Sequence, residues 1–419
     1  MSNPAGTSHL FRIQPSGTRW WVPSRSYFRI RFSTTTAAGN DATNAVLPAM
    51  GFCANFVHTI EARIGGTVVS QINTMLPQID AIHTRSTRSG TWLDNAGGVA
   101  NNWVAATPKS LTTAELNADA LRYRREYIWT PPLGLFQIPH ALPGMQCDLS
   151  LVINPRFQTD CVQSASDDGV PVDTTNYKIT VTDFSFHACM VESNRGDNER
   201  FVLNISDWQA QALPLTNTLS SQLSQFDVNP ATNLLAVALQ DSRQSDNSTC
   251  RSRFVVLADN SKIDTEDIKA LTRLQLEYDG SFFPERYSDP LATPTYTEQD
   301  TQVWLETQMA TGQYYSSAGS ESREAFYERG RVFVYQTPRD GKSTATRVLA
   351  HTTLGNTVDI HSTVSTTDED GKVTTTEVIT PGALKNVNII LFSRAPKAFL
   401  VRIADSRVVQ VEGTLNANR

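Results

Sequence analysis

Apolar residues recur at every second position from one end of this chain to the other, and a period of two is the repeat of a strand with one buried face. In SYFRIRF, Phe28, Ile30 and Phe32 share one face while Arg29 and Arg31 take the other. HTIEARI repeats this with Ile60, Ala62 and Ile64, then passes through Gly65-Gly66 into TVVSQI. Paired glycines accept the positive φ of a tight primed turn, so the segment reads as a hairpin. CDLSLVI turns Cys147, Leu149, Leu151 and Ile153 inward. In YKITVTDFSFHACM the alternation of Tyr177, Ile179 and Val181 slips phase before Phe184, Phe186 and Ala188, which predicts a β-bulge near Asp183. The pattern resumes after the polar ESNRGDNER in NLLAVAL, RFVVL, RLQLEY, RVFVY, RVLAHTT, a hairpin through Asp370-Gly371, VNIILF, AFLVRI and RVVQV. Helical signals are short. Thr112-x-x-Glu115 resembles a capping box before AELNADAL, Asp264 can cap TEDIKAL, and DTQVWLETQM and SREAFYERG have helical spacing.

With 419 residues the chain exceeds what one hydrophobic core usually serves, so two domains of similar size are expected. Strands on each side of about residue 200 suit two eight-stranded sandwiches with helices as insertions. The halves also echo one another. IEARIGGTVV has a counterpart in LQLEYDGSFFPER, where Asp279-Gly280 stands in for Gly65-Gly66 half a chain later. That spacing points to a duplicated architecture.

Charge and cysteine content exclude several classes of function. Net charge is −6 and the longest basic cluster is RYRR, which argues against strong binding to a nucleic-acid backbone. Only 19% of residues are charged, few for a soluble monomer of this size, and this hints at buried subunit contacts. The cysteines at 53, 147, 161, 189 and 250 show no C-x-x-C pairing and no histidine at metal-ligand spacing, so they read as reduced thiols made in a reducing compartment. The N-terminus lacks a basic start followed by an apolar stretch, and no segment approaches the ~20 apolar residues of a membrane span. The sequons at Asn204 and Asn247 then carry little meaning.

No motif yields a catalytic, cofactor-binding or metal-binding residue. GKST at 341–344 lacks the earlier glycine of a phosphate-binding loop, since position 336 is Gln, and the residues that follow alternate as a strand. A hairpin turn at Asp340-Gly341 explains it. The histidines at 9, 58, 83, 140, 187, 351 and 361 are scattered, with His351 and His361 the closest pair, and no strained G-x-S-x-G elbow accompanies them. Of Trp20-Trp21, one is expected beneath the first barrel and the other at a subunit contact. The first seventeen residues hold only Arg12 as a basic charge, so they do not read as an Arg-rich nucleic-acid-binding arm. TTDEDG reads as a solvated hairpin tip.

Three segments resemble a known family. TPPLGLFQIPHALPGMQCDLSLVINP resembles the stretch of double jelly-roll major capsid proteins where an apolar turn with a Leu-Pro pair leads into a long core strand. FDVNPATNLLAVALQDSRQ is similar to the opening strand of their second barrel, and LTRLQLEYDGSFFPERYSD to their strand-turn-strand with an Asn/Asp-Gly pair before an Arg. The relatives so implied are those of tailless icosahedral DNA viruses: nucleocytoplasmic large DNA viruses, polinton-like viruses, virophages and tailless phages.

The resemblance implies an all-β chain of two tandem eight-stranded jelly-roll barrels with short helical insertions. The expected divisions are an N-terminal arm at 1–17, a first jelly roll at 18–197 and a second at 198–419. It further implies a non-enzymatic capsid subunit, without cofactors, that trimerises into pseudo-hexameric capsomers of an icosahedral shell. Implied partners are neighbouring capsomers, penton and minor capsid proteins and a possible internal membrane or core layer, with no sequence-specific nucleic acid. The protein would be made in the host cytoplasm and reside in the virion. The segments Ala81–Arg125, TLSSQLSQ at 218–225 and SDPLATPTYTEQDTQ are expected as outer loops. Two other readings compete: a carbohydrate-binding tandem β-sandwich such as a fibre or lectin-like module, and a single large-barrel coat with a protruding second domain.

Overall fold

The computed structural model describes residues 5–14, 18–36, 46–95, 124–143, 145–164, 177–192, 200–215, 221–241, 271–288, 298–315, 322–323, 326, 332–337, 345–354, 359–367, 373–381, 387–402 and 407–411. The first half contributes β1 (Ser8–Ile13), β2 (Arg19–Trp21), β3 (Tyr27–Thr36), β4 (Val46–Pro48), β5 (Val57–Ile64), β6 (Thr67–Ile72), β7 (Arg124–Trp129), β8 (Cys147–Ile153), β9 (Val162–Ser164), β10 (Tyr177–His187) and β11 (Met190–Glu192). The second contributes β12 (Arg200–Pro214), β13 (Ser221–Asp227), β14 (Leu234–Asp241), β15 (Leu271–Tyr278), β16 (Ser281–Ser288), β17 (Val332–Gln336), β18 (Arg347–Leu354), β19 (Asp359–Thr367), β20 (Val373–Pro381), β21 (Val387–Arg402) and β22 (Arg407–Val411). Helices α1 (Phe52–Phe56), α2 (Leu76–Thr87) and α3 (Gly90–Asn95) interrupt the first half, and a longer helix, Glu298–Ala310, lies in the second.

The two halves repeat one plan. The order β1-β8-β5-β6 in one sheet of the first half is matched by β13-β18-β15-β16 in the second, and β10-β3-β7 is matched by β21-β14-β17. Every pairing is antiparallel, and no described sheet mixes strands from the two halves. The equivalent hairpins turn alike, with φ of 54° and 84° at Gly65 and Gly66 and 53° and 73° at Asp279 and Gly280. Both central residues of a type I′ turn need positive φ, which is why Gly and Asp occupy these positions. The helical insertions also correspond: α2 and α3 follow β6, and the 298–310 helix follows β16. This is the double jelly roll expected from the alternation and the resemblance, all-β with helices between strands.

The bulge near Asp183 is present. Pairing of β10 with β3 shifts register between Val181 and Asp183, and the extra residue lets Val181, Phe184 and Phe186 all turn toward the core. β8 alternates buried and half-buried residues through its whole length, with Cys147, Leu149, Leu151 and Ile153 inward. Ser8–Ile13, inside the stretch expected as an arm, is a strand of the first barrel, paired with β8 from Ser8↔Val152 to Ile13↔Cys147. Phe11 draws it in, meeting Phe28 at 5.4 Å and Phe184 at 5.5 Å between ring centroids.

All three expected outer loops contain ordered elements. Ala81–Thr87 belongs to the buried helix α2, Gly90–Asn95 is α3, Arg124 and Arg125 open β7, Ser221–Gln225 belongs to β13, and Glu298–Gln302 opens the long helix of the second half. Their polar composition misleads because α2 spends its side chains on internal hydrogen bonds and β13 turns alternate residues outward. The helical spacing of DTQVWLETQM is realised in the 298–310 helix. Residues 96–123, 218–220 and 289–297 of those loops, the helical signals at 112–122 and 264–270, the strand expected in RFVVL, the tip at 368–372 and GKST lie outside the described residues. The strands flanking the acidic tip do pair as a hairpin, ending at Thr367↔Val373.

Two cores form, and one sheet borders both. In β14, Leu235, Val237 and Leu239 enter the second core while Leu234, Ala236 and Ala238 enter the first. β17 divides likewise, with Phe333 and Tyr335 against Val332 and Val334, and β21 sends Ile389 and Leu391 one way and Ile390 and Phe392 the other. The near-continuous apolar runs NLLAVAL, RVFVY and VNIILF follow from this, because a strand buried on both faces loses its polar alternation. The wall comes close to the first half at Gly134. A Cβ there would stand 2.3 Å from Ile205 Cγ2 and 2.7 Å from the Ser206 carbonyl oxygen, part of which is rigid backbone. Gly134→Ala is therefore expected to destabilise the protein by about 1–3 kcal/mol, read as a lowered urea midpoint with unchanged slope.

Candidate functional site

The groups brought together with the greatest chemical consequence lie in the seam between the two cores. Asp207 of β12 is buried in phase with Leu203 and Ile205, so its carboxylate points into the first half. Oδ1 accepts from the Gly134 amide at 2.9 Å and from the Ser70 hydroxyl, and Oδ2 accepts from Lys397 Nζ at 3.3 Å. One carboxylate thereby ties β6 and the 134–137 turn of the first half to β12 and β21 of the second. Arg394 adds a second tie, donating to Gln137 Oε1 at 2.9 Å while its guanidinium lies 5.9 Å from the Trp208 ring centroid.

Helix α2 supplies the rest of the seam. Gln78 donates to Gln240 Oε1 at 3.1 Å, and Arg85 donates to the Phe326 carbonyl at 3.3 Å and sits over the Phe326 ring. Asp80 accepts from Trp129 Nε1 at 2.9 Å. The C-terminal carbonyls of α2 are capped from the other half, since Gln313 Nε2 donates to Arg85 O and to Arg88 O, the latter at 2.8 Å. The insertions of the two barrels thus satisfy each other's backbone. Such a network, satisfied from both sides, ties the two barrels into one block. Asp207→Ala would strand the Gly134 amide and the Ser70 hydroxyl, with an expected loss of about 3 kcal/mol in chemical denaturation.

Titration is pushed hard at this seam. Burial, followed by the positive charges of Arg394 and Arg88, lowers His83 from 6.5 to about 3, and its Nδ1 has no hydrogen-bond partner. A histidine with a depressed folded value takes up its proton only in the unfolded chain, so the stability it permits is complete above 6.5 and declines as pH falls toward 3. Denaturation midpoints are expected to drop between about pH 6.5 and 5, and His83→Gln should flatten that slope. Burial also raises the Cys147 thiol to about 12 and moves Cys53 in the same direction, which keeps both inert.

The other residues singled out by the sequence are dispersed. His9 meets Phe184 edge-on, His58 and His140 are exposed, and His351 pairs with Glu277 at 2.8 Å. His187 stacks on Tyr27 and approaches Ser185 Oγ at 3.3 Å. Ser185 in turn donates to Asp183 at 3.2 Å, so the serine stands between the acid and the histidine. A nucleophilic triad needs the acid to orient the histidine, whereas Asp183 is held by Arg29 at 2.8 Å. Among the described residues no group of three His, Cys, Asp or Glu side chains could hold a metal ion. Among the described residues, cysteines 53, 147, 161 and 189 form no disulfide. Trp21 is fully buried and donates to Ser26, while Trp20 is only half-buried. Arg12 is paired with Asp148 across β1 and β8 at 2.9 Å.

Outward faces carry apolar residues in register. Val202, Leu400 and Val409 oppose one another across β12, β21 and β22 and are 45%, 37% and 48% exposed. On the outer face of the second barrel, Leu223 opposes His351, which packs against Phe282. Exposed Tyr314 and Tyr315 follow the 298–310 helix. The sequence reading passed over Asp207 and Gly134. The signal for Asp207 was a carboxylate in phase with Leu203 and Ile205 on an apolar face, whereas nothing local marks Gly134.

No family model matches this chain, and no curated protein matches it. Solved structures do. The structure of the Sputnik virophage aligns over 100% of this chain and 89% of its own, with 12% identity and a TM-score of 0.55. VP54 of PBCV-1, fitted into a reconstruction of Sputnik, aligns over 99% and 94%, with 11% identity and a TM-score of 0.54. The Faustovirus major capsid protein aligns over 94% and 88%, with 7% identity and a TM-score of 0.50. Twin barrels of one strand order, fused through a common wall, are what these similarities span, and the chain therefore has the fold of the double jelly-roll major capsid proteins.

Proposed function

We propose that this chain is a major capsid protein, a structural subunit that works by self-association and builds an icosahedral virus shell. The observation that carries the reading is the two-sided wall: it locks two barrels of one plan into a block, in a fold that matches viral capsid proteins over nearly the whole chain. Three such blocks hold six similar barrels, so a trimer approximates a hexagon and can tile a closed surface. Fusion in pairs allows the two barrels to differ in their insertions, as α2 and the 298–310 helix do, while the walls stay alike.

Self-association has suitable surfaces. The Val202–Leu400–Val409 row, the Leu223 and Phe282 face and the Tyr314–Tyr315 pair offer apolar area on rigid strands or beside a helix. Trimer interfaces of obligate type bury roughly 2,000–5,000 Å², enough to make the isolated monomer unstable. In this reading the barrels divide near residue 198, the partners are neighbouring capsomers, penton and minor capsid proteins, and the protein resides in the virion. No catalysis is assigned to it. Size-exclusion chromatography with light scattering is expected to give a trimer, and a persistent monomer at micromolar concentration would overturn the proposal.

A further inference from the structure

The hairpin β19–β20 stands apart from both barrels' sheets. Its strands pair with each other in nine consecutive register positions, from Asp359↔Pro381 to Thr367↔Val373, and form a sheet of their own between β18 and β21. Among the described residues no third strand joins either edge. Nine residues extend roughly 30 Å, and a two-stranded ribbon alone is marginal in water, so a free edge of this length invites another strand.

The two edges are not equally open. β20 carries Pro381, which has no amide hydrogen to give, and Glu377 at its midpoint. Were β20 to pair antiparallel with its own copy about that midpoint, Glu377 would oppose Glu377, a repulsive cross-strand pair. β19, DIHSTVSTT, is free of proline and lysine. Paired antiparallel with its own copy about Thr363, it sets Asp359 against Thr367, Ile360 against Thr366, His361 against Ser365 and Ser362 against Val364. No like charges meet, and β-branched residues recur across the junction, a favourable strand pairing.

We propose that β19 is a self-complementary docking edge, which pairs with β19 of a second copy about a local two-fold axis at Thr363 to make a four-stranded sheet from two hairpins. In terms of the shell-building reading, on which this placement rests, the joined copies belong to neighbouring trimers. The pairing itself requires only two chains.

The test is a register-specific cross-link in the full-length chain. Directly opposed antiparallel residues have Cα atoms about 4.5–5.5 Å apart, within disulfide range. Thr363→Cys is therefore expected to give at least tenfold more covalent dimer under mild oxidation than Ser365→Cys, whose copies would lie about 13 Å apart along the strands. Glu377→Cys serves as the control for the other edge, and the unsubstituted chain as the control for its native thiols. Equal cross-linking at the three positions, none at 363, or a maximum at 377 would each overturn the assignment. Thr363→Lys sets like charges face to face and is expected to weaken association between trimers tenfold or more in sedimentation, with the thermal midpoint unmoved. Trimers that show no cross-link at 363 sink the docking edge alone. Monomers that dimerise through 363 sink the trimer and leave the docking edge standing.

Discussion

A sheet whose central strands are buried on both faces organises this protein. β14, β17 and the Ile389–Phe392 part of β21 close the second barrel with one set of side chains and cover the first with the other. Those central strands have no solvent face on which to put charge, so they are apolar at consecutive positions. On β12, whose other face is open to solvent, Asp207 turns toward the first half, and an isolated buried carboxylate would be costly. Three donors drawn from both halves meet it, and this couples the acid's satisfaction to correct docking of the barrels.

Duplication accounts for the form of the seam. Equivalent hairpins lead into helical insertions in both halves, yet the insertions have diverged in role. α2 is packed away with its glutamine, aspartate, histidine and arginine side chains, and the turn after the 298–310 helix reaches across to cap it. Two copies of one plan have thus taken different parts in the joint. That asymmetry is what a fused pair gains over two separate barrels: the shared face can be specialised without disturbing the outer ones. Burying His83 among arginines, where its charged form is disfavoured, is one result of that specialisation.

Strand positions were legible in this sequence because alternation records directly which face of a strand is wet. The bulge near Asp183 and the turns at Gly65-Gly66 and Asp279-Gly280 were legible for the same local reason: phase slips and positive-φ residues leave marks within a few positions. α2 was not. Its Gln, Asp, His, Thr and Arg resemble a solvated connection, and only the partners waiting for them on β7, β14 and the opposite insertion make burial possible. Ser221–Gln225 misled in a milder way, since a strand with a wet face and Ser224 turned inward has little apolar signal.

What the amino-acid order determined alone is the period, the turns and the number of barrels, all of which depend on neighbours a few residues apart. It also carried the apolar runs of β14, β17 and β21, but not their meaning, because a run of consecutive apolar residues does not say what lies on either side. The tertiary structure decided that the second core lies on one side and the first on the other. It decided as well that Asp207, Gly134 and α2 form the joint. Those roles depend on contacts between residues tens to hundreds of positions apart, and no local periodicity encodes such contacts.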